Sequence, residues 1–437
     1  MMRNFCFFVF LQAFLPVVLL AQSEQAKKVA ESFLGTPRAN LAADILVNKP
    51  DYVVYVPQEN FQVLSDRYND HFQVIAREDG VLVAFWTQAG HESNIDQHIA
   101  FSKSTDHGLT WSPVQVLAGS PNVKNPKLIA SWQQPMVSKS GRIYVLWNQQ
   151  VRNTWSHTGA CFGIYSDDCG ETWSAPKQVK IPRTFKDPQD PATPTTWCNW
   201  QRPLRLGENG KFYVGSSHRR NAGECAIDFW QFENIDEDPE VQDIKITVLS
   251  GEPDQVLKLS PPGQFGEECE EAGIVKLPDG RLFCIMRTDG GFPFWSQSRD
   301  SGKTWDRPKP LLNRDGGKPF LHPRSPCPIY DWKGCEAASG YYFALVHNKF
   351  DFTQKSSWQT RGPLFLIAGK FMPDAEQPVW FLDPKPFADR PTGNSFYTSY
   401  TVQDGKGVLW FPDHKYFLLG REIGPEWFEG IDEILKK

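Results

Sequence analysis

The sequence predicts an all-β chain built from one repeated four-stranded unit. Three observations carry that prediction. The 437 residues include 16 Trp, 33 Gly and 34 Pro but only 5 Met. That balance favours short strands and tight turns over a helical bundle. Three segments, Ser104 to Trp111, Ser166 to Trp173 and Ser298 to Trp305, share the spacing Ser-x-Asp-x-Gly-x-Thr-Trp. Six further stretches read as an apolar strand, a polar turn with Gly, and a strongly apolar strand.

Taken in order, Met1 to Ala21 reads as a secretory signal. Arg3 supplies the charge, Phe5 to Leu20 the apolar run, and Ala21 precedes Gln-Ser-Glu. The run is short for a bilayer span and contains Gln12. The expectation is a secreted or periplasmic protein without stable membrane insertion. Cleavage would remove Cys6 and leave eight scattered cysteines, a pattern unlike a disulfide scaffold. Residues 22–50 form a lead-in with a helical pattern from Glu24 to Phe33.

Residues 51–437 carry the repeats. The hairpins are Phe72–Trp86, Pro135–Trp147, Pro203–Ser216, Gly273–Arg287, Ser325–Val346 and Phe396–Phe411. Turns such as Glu78-Asp79-Gly80 and Pro278-Asp279-Gly280 join them. After the first, second and fourth hairpins a third strand runs into the eight-residue motif. There Asp accepts backbone hydrogen bonds, Gly takes a positive φ and Trp packs under the turn. One unit is therefore strand A, B, C, motif, D, which is a blade of a β-propeller. Six blades are counted, and the irregular stretch 234–262 leaves room for a seventh. Asp51 to Pro57 is expected to complete the last blade from its outer edge.

The motif resembles the Asp-box of sialidase-like β-propellers, where it is a structural turn. In such a propeller the starts of strand A and the B–C loops share one face. That face collects Arg and His residues in a chain whose net charge is -5. It would focus an anionic ligand such as a carboxylated or sulfated glycan. Nucleic acid is not expected without a basic excess. Trp155, Trp197, Trp200 and Trp358 near these loops would suit sugar rings.

Glu271 to Arg281, followed by Arg287, resembles the sialidase strand with a catalytic Glu and a carboxylate-binding Arg. Tyr397 resembles the sialidase nucleophile. In that family Glu raises the basicity of Tyr and three Arg grip the carboxylate. Here His71 replaces the first Arg, and Arg324 is a loose candidate for the third. The chain also resembles ulvan-type polysaccharide lyases and rhamnose–glucuronate-directed hydrolases, through His71, His91, Arg152 and the segment Trp410 to Gly420. It departs from them at Gln133-Gln134-Pro135-Met136, where no Tyr is present.

The leading expectation is therefore a lyase that cleaves acidic polysaccharide by β-elimination. His71 or His91 would be the base, Arg152 would neutralise the uronate, and Tyr397 or the other His would be the acid. Gln134, Arg202, Arg219, Glu271 and Arg287 would bind substrate. The alternatives are an exo-glycosidase using Glu271 and Tyr397, and a glycan-binding propeller without activity. No cofactor is required. A structural Zn on His218, Cys225 and Cys284, with Cys198 or Cys269, competes with a buried thiol cluster or a Cys198–Cys225 disulfide.

Overall fold

A computed structural model describes residues 23–58, 66–120, 128–151, 157–221, 224–260, 268–333, 340–351, 360–391, 393 and 397–436. Six antiparallel sheets succeed one another along the chain. Blade one is Tyr68–Ala76, Leu82–Ala89, His98–Ser104 and Gln115–Gly119. Blade two is Ala130–Val137, Ile143–Gln150, Gly159–Ser166 and Lys177–Val179. Blade three keeps Phe212–Asn221, Glu224–Phe232 and Ile246–Leu249. Its strand A is reduced to the bridges Cys198–Ser217 and Leu204–Tyr213. Blade four is Cys269–Lys276, Leu282–Thr288, Phe294–Ser298 and Lys309–Pro310. Blade five is Ile329–Asp331, Tyr341–Val346, Leu364–Phe371 and Val379–Phe381, with Lys385–Ala388 also on its third strand.

Blade six closes the ring as the sequence predicts. Ser399–Gln403, Lys406–Asp413 and Phe417–Glu422 are joined by Tyr52–Tyr55, with Tyr52 opposite Gly420. The early strand supplies the missing outer position, so the two ends of the chain are paired in one blade. The count is six. The irregular stretch holds two short 3-10 turns and the outer strand of blade three. The lead-in contains the expected helix, Glu24–Glu31, and a second that was not anticipated, Asn40–Leu46. Both bury apolar residues (Ala26, Ala30, Leu41, Ile45) against Val53 and the apolar faces of blades five and six.

The three Asp-boxes have one geometry. Thr110, Thr172 and Thr304 each donate a backbone N–H to Asp106, Asp168 and Asp300 at 2.8 Å. Gly108, Gly170 and Gly302 donate to the motif Ser at 2.8–2.9 Å. Two successive residues take positive φ in each, as at Cys169 (58°) and Gly170 (84°). The Trp does more than pack under its own turn. Trp111 meets Trp410 of blade six, Trp173 meets Phe101 of blade one, and Trp305 stacks at 4.4 Å on Phe229 of blade three. Each box therefore fastens its blade to the one before it.

A second backbone feature repeats at the other end of the blades. Strand A carries a register shift between Asp70 and Gln73, Ser131 and Gln134, and Glu270 and Gly273. At each bulge a non-Gly residue sits at positive φ: His71 (53°), Trp132 (56°) and Glu271 (56°). In two of them the displaced backbone N–H is satisfied by the previous blade. Trp132 donates to Thr87 Oγ1 (3.2 Å) and Glu271 to Ser217 Oγ (2.8 Å).

Candidate active site

The bulges bring His71, Trp132 and Glu271 to the face where strand B of blade four ends at Arg287 and blade six begins at Tyr397. Tyr397 donates its hydroxyl proton to Glu271 Oε1 at 2.8 Å. Arg287 Nη1 donates to Glu271 Oε2 (2.7 Å) and to the Tyr397 oxygen (3.2 Å). The triangle joins residues 110 and 126 positions apart in the chain.

Burial and the Glu271 charge push the Tyr397 phenol well above its ordinary range, and Arg287 opposes them. The phenol is therefore protonated at rest, with a carboxylate placed to take its proton. Burial works against the Arg287 charge, but Glu270 and Glu271 hold it firmly ionised. His71 stacks on Tyr397 with ring centres 4.3 Å apart. Its burial, aided by the Lys415 cation, lowers its pKa to about 3, so it is neutral near pH 7.

The cations on this face are interleaved with carboxylates. Arg287 Nε lies 3.0 Å from Glu270, and Arg324 Nη2 bridges Glu270 (2.8 Å) and Glu268 (2.7 Å). Lys415 lies 2.8 Å from Asp70 and 2.9 Å from Glu92, with its ammonium 5.3 Å from the Tyr397 ring centre. Burial raises the Asp70 carboxyl to about 6 against the pull of Lys415. For Glu92 burial also acts upward, but Lys415 prevails and the carboxyl is lowered. The expected basic face is thus a nearly balanced ion network. Position along the sequence places the Arg and His on this face, but the neighbouring carboxylates decide its field.

Arg361 was missed and belongs here. It donates to the Arg324 carbonyl and interacts electrostatically with Arg287, Tyr397, Glu271 and Glu92. Burial and the Arg287 charge lower its pKa. Its stretch, Thr360-Arg361-Gly362-Pro363, carries no strand signal that would have placed it. Lys415 lay within the closing segment and Arg324 was only loosely placed. Trp132 was also missed. It stacks on His157 at 4.9 Å and meets His71 edge-on at 6.4 Å. Its signal was available, because Trp132 stands two residues before Gln134 as His71 stands before Gln73.

Other expected site residues lie elsewhere. Gln134 is buried, and its amide donates to the Asn199 carbonyl of the next blade (2.9 Å), so it joins blades. Arg202 lines a cavity among the far ends of the A strands. His91 is exposed, in a rim cleft with Arg67, Glu92 and His414. It is therefore not stacked with His71 as a catalytic pair. Arg152, Trp155 and Trp358 lie outside the described residues, as does the Arg219 side chain. Trp197 is core, and Trp200 is buried with its ring 6.1 Å from Tyr397.

The proposed Zn set is not assembled. His218 is buried between Asp228 (3.4 Å) and Asp187 (3.9 Å), not among thiols. Among the described residues no group of three His, Cys, Asp or Glu is arranged to hold a metal. Cys198, Cys225, Cys269 and Cys284 are buried free thiols, so the Cys198–Cys225 disulfide is also absent. Burial raises the Cys198, Cys269 and Cys284 thiols and keeps them protonated.

The fold has solved counterparts. A Hadza microbial sialidase aligns at TM-score 0.57 and 14% identity, covering 83% of this chain and 66% of its own. The NanB sialidase from Streptococcus pneumoniae aligns at 0.60 and 12%, covering 86% and 70%. The Trypanosoma rangeli sialidase, solved with sialic acid, aligns at 0.58 and 15%, covering 89% and 59%. At these identities the likeness concerns the propeller fold, and this chain spans about two-thirds of those proteins. No curated protein matches the sequence. The BNR repeat-like domain profile matches residues 80–410, nearly the whole ring of blades and all three Asp-boxes, and the chain belongs to that family.

Proposed function

We propose that the protein is a retaining exo-glycosidase that removes a terminal acidic sugar from a glycan. The observation that carries this reading is the Tyr397–Glu271–Arg287 triangle. Glu271 would accept the phenol proton as Tyr397 attacks the anomeric carbon and the glycosidic C–O bond breaks. The departing oxygen takes a proton from solvent, and a water then cleaves the Tyr397–sugar bond with net retention. Arg287 would stabilise the developing phenolate. Tyrosine nucleophiles of this kind are an established departure from the usual carboxylate pair.

Two features support an acidic sugar. A phenol is uncharged before attack, so it does not repel a carboxylate near the reacting carbon. The surroundings also disfavour the Arg361 charge, which an incoming anion would relieve. The half-exposed Trp132 ring offers an apolar face for the sugar. The sialidase structures lend the fold, and the balanced ion network distinguishes this site from a bare cluster of arginines. Elimination is not proposed, because His71 is buried against Tyr397 while His91 is exposed in the rim cleft. Export through the N-terminal leader is part of the proposal, since polymeric glycans lie outside the cell.

The test is product analysis on glycans ending in sialate, uronate or neutral sugars. The expected product is a saturated acidic monosaccharide with its anomeric configuration retained. An unsaturated uronate would establish elimination instead. Binding without turnover on every glycan would make the protein a lectin-like propeller.

A further inference from the structure

The far end of the propeller axis holds a cavity of about 1110 Å³. Its walls come from the strand-A regions of blades one, three, four, five and six, such as Ala76, Leu204, Leu277, Tyr330 and Val402. These are the ends remote from His71, Glu271 and Tyr397, so the cavity is separate from the site above. Arg202 lines it and is partly exposed. Its backbone N–H bonds Gln73 Oε1 (3.3 Å), but no hydrogen bond or ion pair of its guanidinium exists among the described residues. Burial without a counter-charge lowers its pKa to about 10. Lys276 adds positive charge to the wall, Arg205 is paired with Asp236, and Lys333 lies 3.9 Å from Asp331, the lining carboxylate.

A guanidinium drawn partly out of water with no carboxylate paired to it is costly, even though the Arg202 side chain stays partly exposed to the cavity. Other arginines described around the ring, such as Arg142, Arg287 and Arg390, have carboxylate partners. A pocket with a few convergent polar groups on apolar walls is the usual form of a small-ligand site. We propose that this cavity binds a small oxyanion, a carboxylate, sulfate or phosphate group, held by Arg202. The planar guanidinium fork matches such a group through two parallel hydrogen bonds. Tyr330, whose hydroxyl is turned to Thr398 (2.7 Å), leaves its ring as one wall beside the anion.

The experiment is equilibrium dialysis of the full chain against labelled sulfate, phosphate, acetate and glucuronate at constant ionic strength. Saturable binding of one of them is expected, and the four arms separate an inorganic ion from a sugar acid. Binding should weaken about tenfold or more in Arg202→Met, be partly kept in Arg202→Lys, and be unchanged in Tyr397→Phe. Lys276→Ala, at the cavity wall, should weaken it less and covers the case in which Arg202→Met does not fold. In anion-free buffer Arg202→Met should melt above the wild type, because an uncompensated charge is gone, and added anion should close the gap. Absence of saturable binding, or equal binding by wild type and Arg202→Met, would overturn the proposal. So would loss of binding in Tyr397→Phe, which would return the anion to the catalytic face.

Discussion

The Asp-boxes and the strand-A bulges lie at opposite ends of the blades, and both place residues at positive φ. In the boxes the same Ser, Asp, Gly and Thr occur three times and close the same hydrogen-bond ring. In the bulges the same backbone turn carries His71, Trp132 and Glu271, three different chemistries. A non-Gly residue at positive φ costs on the order of 1 kcal/mol or more. The boxes limit that cost with a Gly in each and with local hydrogen bonds. The bulges accept it with side chains that meet through Tyr397: Trp132 against His71, His71 against Tyr397, and Tyr397 bonded to Glu271. One repeat builds the ring, and the other gathers different side chains around Tyr397, the group on which the proposed function rests.

The comparison is broken most directly at Tyr397. Tyr397→Phe should lower turnover about 10²–10⁴-fold while changing stability by no more than about 1 kcal/mol. Initial rates and thermal melts read both, and retained activity would sever the bulge face from catalysis. The reverse pattern is expected at a box. Gly170→Ala places a Cβ 2.4 Å from Phe101 at a φ of 84°. It should cost about 2 kcal/mol or more by denaturant titration and leave KM and kcat unchanged at low temperature. Asp300→Ala, which removes the acceptor from the Thr304 backbone, should cost about 1 kcal/mol with the same kinetic silence.

The pH responses sharpen the same contrast. The Thr172 hydroxyl and backbone N–H hold the Asp168 carboxyl at about 2, below its ordinary 3.8. Its contribution to stability is therefore full above about pH 4 and is lost as pH falls toward 2. The stability gap between wild type and Asp168→Asn should narrow over that window. The smallest effect is expected from His71. Its pKa of about 3 keeps it neutral at working pH. His71→Gln should therefore change the rate but not the shape of the pH–rate profile between pH 5 and 8, a range set by the ordinary histidine pKa.

Much of the fold was legible because its signals are local. Each box closes within eight residues, and the turns at Gly80, Gly141 and Gly280 declare their positive φ by residue type. The early strand at Tyr52 was recognisable because a ring of hairpins leaves one edge to fill. The second lead-in helix was missed, since its seven residues carry no N-cap hydrogen bond from a side chain. Tyr397, Glu271 and Arg287 could be named from the resemblance, but their triangle could not be. Arg361 and Trp132 were missed, Arg202 lines the cavity at the far ends of the A strands, and Gln134 is buried where it joins two blades. A strand alternates its faces, and a single bulge reverses which residue looks inward.

The structure fixed the number of blades at six, while the sequence by itself determined the turn chemistry, the blade repeat and the residue types available at each strand start. Those features depend on contacts within a dozen residues and on periodicity. Only the tertiary structure decided which charges neutralise each other, that His71 stacks on Tyr397 and that, among the described residues, no carboxylate pairs with the Arg202 guanidinium. Ring closure brings blades one and six together across more than three hundred residues, as when Phe72 donates to the Tyr397 carbonyl (3.0 Å). The field at the site is the sum of such long-range pairings, and the pairing of Arg287 with Glu271 is settled only when the blades have packed.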